Sequence, residues 1–251
     1  MYTLPQLGIG ERVILLITPY GTIMWDLLAY LDKDTIDALK APPFNGLKAI
    51  VISHPHYYTN HLDWAEEFDC PVYIAAEDEE WVNRKDMNGR RKLIHGTTEE
   101  IVPGVTAIKV GGHFPGSLVL HWNKKLFLAD SVVTQPVSTE TVLPSGHLLG
   151  LPRSHTDTVM QSALYHVNRE DDTISYTFMW SIPNMIPLPP SELLKMWNAL
   201  RPFEFEQTHG AFMGQDVFDP NVKTRILESM KIQAQNATGH VDHEIMREAW
   251  P

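Results

Sequence analysis

The chain has 251 residues, a size that fits one α/β domain with a single core better than two small domains. Hydrophobic residues make up 43% and charged residues 20%, a balance that excludes a disordered or fibrous chain. Twenty basic and 31 acidic residues leave a net charge of −11, which argues against nucleic acid as the main partner. The single cysteine excludes an intrachain disulfide, so a metal site would draw on the 12 histidines and on carboxylates.

No apolar run reaches the roughly 18 residues that a membrane-spanning helix needs. The best candidate, residues 13–17, is broken by Thr18-Pro19, and no basic segment precedes it as it would in a signal peptide. We therefore expect a cytoplasmic protein that makes no membrane contact.

Apolar and β-branched runs that end in turn residues predict the strands of the chain. The predicted strands cover residues 12–17, 22–26, 47–53, 71–75, 105–110, 117–122, 125–129, 173–182 and 203–207. The polar stretch 82–100 is expected to be loop, and the proline-rich stretch 183–190 is expected to be irregular.

Apolar residues at helical spacing, preceded by polar capping residues, predict the helices. The predicted helices cover residues 34–40, 60–68, 156–168, 191–200, 220–236 and 240–249, with a helical turn at 77–81. Asp34-Thr35 is the cap expected for the first helix, Thr59 or Asn60 for the second, and Ser191 for the helix at 191–200. No repeat or linker divides the chain, so we expect one domain over residues 1–251.

Four predicted strands end in residues that commonly bind metals. His54 and His56 follow the strand LKAIVIS, and His113 follows VTAIKVGG. Asp130 follows KLFLA, and His209 follows FEFEQT. A rigid sheet holds side chains at its strand ends, while the loops beyond leave room for a substrate. Imidazoles with a carboxylate suit zinc, and iron or manganese less specifically.

The order of these residues resembles the metallo-β-lactamase fold over roughly residues 8–215. The resemblance is carried by His54-Pro-His56, GGHFPGS, LFLAD and the late His209-Gly, together with a hairpin that ends in Asp26. It implies an α/β protein with a four-layer αβ/βα sandwich and metals at one edge. Only residues 1–11 precede the first predicted strand, so the chain is a candidate for a form that lacks an N-terminal strand.

The resemblance also implies roles for the individual residues. His54, His56 and His113 look like the three-histidine first metal site. Asp130 resembles the carboxylate that bridges two metals, and His209 the late histidine of the second site.

One departure from the family pattern His-x-His-x-Asp-His concerns the second site. Tyr58 and Thr59 stand where an aspartate and a histidine are expected. Tyr58 could contribute a phenolate, and His61 or Asp63 could reach in from the next helix; packing or surface positions are the alternatives for each. One metal is firmly expected and a second is doubtful. The segments SHPHYYTNHLDW and FMWSIPNMIPLPP look like an uncharacterised subgroup found mainly in fungi.

The function that these residues indicate is hydrolysis of a carbonyl bond, such as a lactam, lactone or thioester, in a small molecule. Zinc would lower the pKa of its bound water to about 7, far below that of free water. Asp130 would orient that water, and Tyr58, if it faces the metal, would donate a hydrogen bond to the developing oxyanion. The alternative is a metal-binding pseudoenzyme or a ligand-binding protein with little hydrolase activity. Loops near 131–160 and 180–190 would shape the substrate pocket.

Overall fold

The computed structural model describes residues 12–135 and 174–250. The chain divides into two compact units. The first consists of Met1–Val110 and Phe114–Asn123, and the second of Gly111–His113 and Lys124–Pro251. The expected single domain over residues 1–251 is not tested by this division and stays a prediction. Residues 1–11, the predicted helix at 156–168 and most of the expected pocket loop lie outside the described residues.

The first unit contains a five-stranded sheet in which the strands follow one another in chain order. Its strands are β1 Ile14–Thr18, β2 Gly21–Trp25, β3 Ala49–Val51, β4 Val72–Ala75 and β5 Arg91–Ile94. β1 and β2 form an antiparallel hairpin, and β2 to β5 are parallel. Parallel neighbours require crossover connections, which here contain α1 (Lys33–Lys40) and α2 (His61–Glu67).

The first unit also contains an antiparallel meander of β6 (Thr98–Val102), β7 (Val105–Lys109) and β8 (Leu118–Trp122). The loop predicted for 82–100 is wrong in part, because β5 lies within it and β6 begins within it. Among the described strands, β5 and β6 each lie at the edge of a sheet and pair with a neighbour on one side only. Edge strands commonly carry charged side chains, so their sequences RKLI and TEEIV lack the apolar alternation that marks a buried strand.

The second unit is built from short strand pairs. β9 (Lys125–Phe127) runs parallel to β14 (Gln207–His209), which pairs with β15 (Asp216–Phe218) in the antiparallel sense. β10 (Val133–Gln135) pairs with β11 (Ser175–Thr177), and β12 (Met179–Ser181) with β13 (Ile186–Pro187). The helices are α3 (Pro190–Leu200) and α4 (Val222–Ile232), followed by a π-helical turn at Gln233–Ala237 and a 3-10 turn at Glu244–Arg247.

Several predicted boundaries differ from the structure. Asp32, rather than Asp34, caps α1 by accepting a hydrogen bond from Thr35 N, and α3 begins at Pro190, without a side-chain cap from Ser191. Proline without its N–H suits a first helical turn, where that N–H has no partner within the helix. The helix predicted at 240–249 is only a 3-10 turn, and the strand predicted at 203–207 begins at residue 207 instead. No helix among the described residues is long and apolar enough to cross a membrane.

Each unit has its own buried apolar residues. In the first, Trp64, Ile50 and Ile74 are fully buried in one cluster.

A buried glutamine in the second unit is satisfied by backbone groups. The side-chain amide of Gln233 accepts a hydrogen bond from Phe178 N at 3.0 Å and donates to Phe178 O and Leu188 O at 2.8 and 3.1 Å. This amide therefore holds the base of the β12–β13 hairpin.

Candidate metal centre

His54 and His56 lie in the segment that follows the end of β3 at Val51, in the first unit. His54 is buried and His56 is exposed. His54 Nδ1 lies 2.7 Å from the hydroxyl oxygen of Ser53, and His54 Nε2 lies 3.0 Å from His56 Nδ1. Two nitrogens on a tetrahedral zinc with bonds of about 2.0 Å lie roughly 3.3 Å apart, so this convergence fits two ligands of one ion.

Asp26 fixes the strand end that carries His54. It adopts a φ of 61°, which turns the chain at the end of β2. Its Oδ1 accepts a hydrogen bond from Ser53 N at 2.7 Å. A buried carboxylate that accepts from the residue before a ligand restrains the position of that ligand. This is the early strand–Asp element that the resemblance implied.

Phe114 packs against both imidazoles. Its ring lies stacked at 5.7 Å from the His54 ring and edge-on at 5.2 Å from the His56 ring. The turn that carries Phe114 is closed by Ser117, whose Oγ accepts from Phe114 N at 2.9 Å. The motif GGHFPGS therefore supplies packing for the first histidine pair through its phenylalanine, as well as His113.

His113 and Asp130 form a second pair, within the second unit. His113 Nδ1 lies 2.7 Å from Trp180 O, and a carbonyl can only accept, so Nδ1 carries the proton and Nε2 the lone pair. His113 Nε2 lies 3.7 Å from Asp130 Oδ2. Ser131 adds a further restraint, because its Oγ accepts from His113 N at 3.1 Å and donates to Gly111 O at 2.7 Å. Such backbone partners are typical of histidines that bind metals.

Gly112 and Gly116 leave no room for a side chain. Gly112 has a φ of +93°, and a Cβ there would lie 2.8 Å from a methyl group of Leu188. A Cβ on Gly116 would lie 2.5 Å from Ala75 Cβ and 2.8 Å from Asp78 Oδ2. Gly112 and Gly116 of the motif GGHFPGS are therefore required by close packing.

His209 lies at the end of β14 in the second unit. Its Nδ1 lies 2.7 Å from Asp216 Oδ1, and its ring stacks on Phe127 at 5.2 Å. The carboxylate fixes the proton on Nδ1, which leaves Nε2 as an acceptor. The sequence prediction missed Asp216. The short run DVF, a few residues after His209, could have indicated a strand that pairs with the one carrying His209.

The three residues considered as replacements for the second site all lie in the first unit. Tyr58 is buried, and burial raises the pKa of its phenol well above the usual range, with Asp78 and Asp26 adding to the effect. Burial lowers the pKa of the His61 imidazole, which hydrogen-bonds Tyr58 O through Nδ1 and accepts from Arg91 Nε at 3.1 Å. Asp63 forms two hydrogen bonds with Arg84, at 2.5 and 2.8 Å, which lower the pKa of its carboxyl.

Asp78 is a buried carboxyl that the sequence prediction also missed. It is fully buried, and its Oδ1 accepts from Gly116 N at 2.9 Å. Burial raises its pKa to about 6, with a smaller opposing effect from the Gly116 hydrogen bond. It lies in the acidic run Glu77-Asp78-Glu79-Glu80, whose other members are exposed, so no sequence signal separated it from them.

Four of the predicted residues make up a His/Asp group that could hold a metal ion: His54, His56, His113 and Asp130. Among the described residues, His209 and Tyr58 do not belong to this group. Three imidazoles are a donor set that zinc takes at catalytic sites, and imidazoles with a carboxylate also suit iron.

No protein-family model matches the chain. A curated relative, the uncharacterized protein YmaE of Bacillus subtilis (strain 168), is 32% identical over 213 residues. The match covers 84% of this chain, and the chain spans 65% of the length of that relative.

Alignment with solved structures identifies the fold of the chain. The chemotaxis sensor ODP of T. denticola, solved as a peroxy diiron species, aligns with a TM-score of 0.57 at 14% identity, over 89% of both chains. The metallo-β-lactamase FIM-1 of Pseudomonas aeruginosa, solved in a mono-zinc form, aligns with a TM-score of 0.52 at 15% identity, over 93% of this chain and 86% of that one. The α/β fold predicted from the sequence is confirmed: the chain has the metallo-β-lactamase fold.

Proposed function

We propose that His54, His56, His113 and Asp130 bind a metal ion, preferably zinc, and that the chain is a metal-dependent hydrolase of a carbonyl bond in a small molecule. The observation that carries the proposal is the orientation of the two pairs. His54 and His56 direct ring nitrogens toward each other at 3.0 Å, and the Trp180 carbonyl leaves the lone pair of His113 on the side of Asp130.

The chain's own groups would prepare the reaction. A divalent metal lowers the pKa of a bound water toward neutrality and polarises a carbonyl oxygen. Ser53 and the Trp180 carbonyl would hold the rings of His54 and His113, and Asp130 would orient the attacking water and take its proton. A lactam, lactone or thioester is the proposed substrate class, and the net charge of −11 supports a small molecule over nucleic acid.

Two roles are open to Tyr58, and the Tyr58→Phe variant distinguishes them. Tyr58 was expected to donate a hydrogen bond to the oxyanion if it faces the metal. Its burial in the core cluster of the first unit supports the alternative of a packing role. The departure at Tyr58 and Thr59 likewise supports the second candidate function, a metal-binding protein with little hydrolase activity.

The first test is the metal content of protein purified without added metal, with His54→Ala and His113→Ala as variants and His95→Ala, an exposed histidine, as the control. We expect close to one zinc per chain in the parent and the control, and loss in both ligand variants. The second is an activity screen over lactams, lactones and thioesters with the metal-loaded protein. A parent protein with no bound metal, or ligand variants that keep it, would refute the metal centre, whereas bound metal without turnover would favour the second candidate.

A further inference from the structure

We infer that the chain binds one metal ion rather than two, because the side chains that could complete a second site are engaged within the first unit. The inference rests on the metal centre proposed above. In the pattern that this chain resembles, the second metal would take ligands from the positions of Tyr58 and Thr59, in addition to Asp130 and His209.

Tyr58 is a core residue rather than a ligand at the surface of the unit. Its side chain is 2% exposed and belongs to the cluster that contains Trp64 and Ile74. Its ring lies 5.9 Å from the ring of His61. A metal at the phenol oxygen would have to enter this apolar cluster, at the cost of separating packed side chains.

His61 is excluded by its hydrogen bonds. Arg91 Nε donates to His61 Nε2 at 3.1 Å, so that nitrogen is an acceptor and the proton lies on Nδ1, which donates to Tyr58 O. Arg91 is itself held, because it donates to Arg84 O at 2.8 Å. Both ring nitrogens therefore serve to connect α2 with the neighbourhood of β5, and neither is left to bind a metal.

Asp63 and Asn60 are engaged in the same region. Both carboxylate oxygens of Asp63 accept hydrogen bonds from Arg84, in the planar arrangement that favours arginine with carboxylates. The Asn60 amide nitrogen donates to Leu28 O and Ala29 O at 3.3 and 3.1 Å. Asn60 and His61 together therefore do not replace the missing Asp-His pair either.

Of the expected second-site ligands in the described parts of the chain, Asp130 and His209 remain. Two protein ligands fall short of the three that catalytic zinc sites and the four that structural zinc sites use. The Nδ1 of His209 is engaged by Asp216 at 2.7 Å, so this residue offers a single nitrogen, Nε2, to a metal. This donor set does not fit a tightly bound second ion.

The test is zinc titration of the metal-stripped full chain, followed by native mass spectrometry and by competition with a chelating dye. We expect one tightly bound zinc in the parent protein. Tyr58→Phe, His61→Gln, Asp63→Asn and His209→Gln should each keep it, with affinity changed by less than about 3-fold, whereas His113→Ala should lose about 100-fold or more. Circular dichroism establishes that each variant is folded.

The possible outcomes distinguish failure of the single-metal inference from failure of the proposed metal centre. Two tightly bound zinc ions in the parent protein would overturn the single-metal inference and leave the hydrolase proposal standing. Loss of one bound equivalent in any of the first four variants would also overturn it. No bound zinc in the parent would refute the metal centre itself. If a variant does not fold, the number of zinc ions bound by the parent protein still tests the single-metal inference.

Discussion

The buried carboxyl of Asp78 allows a quantitative prediction about stability. Asp78 is fully buried beside Gly116, and burial raises its pKa from 3.8 to about 6. The neighbouring acids Glu77 and Glu80 add to the rise, whereas the Gly116 N–H and Lys109 oppose it. The charged form is therefore less favourable in the folded chain than in the unfolded one.

The sign and size of the effect follow from linkage. Because the folded pKa lies above the unfolded value, the contribution of Asp78 to stability is fully present below about pH 3.8 and is lost as pH rises through about 6. A shift of about 2 units at 1.36 kcal/mol each gives a total loss of about 3 kcal/mol, of which about 2 kcal/mol falls between pH values of about 4.5 and 7.5.

Asp78→Asn removes the charge and keeps an oxygen to accept from Gly116. The new amide N–H₂ has a cost of burial that does not change with pH, so the informative quantity is the change in the difference between variant and parent. We expect this difference in the free energy of unfolding to shift by about 2 kcal/mol in favour of the variant from pH about 4.5 to about 7.5.

Urea denaturation followed by circular dichroism at both pH values measures the shift. Glu79→Gln, which changes the exposed next residue in the same acidic run, is the matched control and should show almost no shift. A pH-independent difference between Asp78→Asn and the parent would refute the reasoning, since it would mean that Asp78 is not desolvated.

Three further substitutions test the packing around the site. Gly116→Ala places a methyl 2.5 Å from Ala75 Cβ, so we expect a loss of about 1–3 kcal/mol in urea denaturation, and unchanged stability would contradict the close contact. Tyr58→Phe removes a buried hydroxyl that has no hydrogen-bond partner in the described parts of the chain, so we expect equal or higher stability and unchanged turnover; a fall in kcat would restore its catalytic role. Gln233→Ala breaks three buried hydrogen bonds, two of them to Phe178. We expect it to lower the free energy of unfolding by about 3 kcal/mol, measured by urea denaturation. A loss below about 1 kcal/mol would show that the β12–β13 hairpin does not depend on this amide.

The strand ends that carry the site could be predicted from the sequence because buried parallel strands are short apolar runs with clear ends. His54 follows β3, a fully buried strand of sequence AIV, as expected. The strand before His209 was predicted wrongly at 203–207, because β14 has the sequence QTH and contains no apolar run. The edge strands β5 and β6 could not be predicted, because their stability comes from pairing with a neighbour rather than from a buried face of their own.

The sequence by itself determined the order of the candidate ligands, the exclusion of thiolate sites by a single cysteine, and the departure at Tyr58 and Thr59. Only the tertiary structure decided that His61 is held through both ring nitrogens, that Asp216 fixes His209, and that Asp78 is buried. The physical reason is that residue type and spacing specify which donors a strand end can offer. The partner that occupies each donor comes from another part of the chain, and folding alone brings the two together.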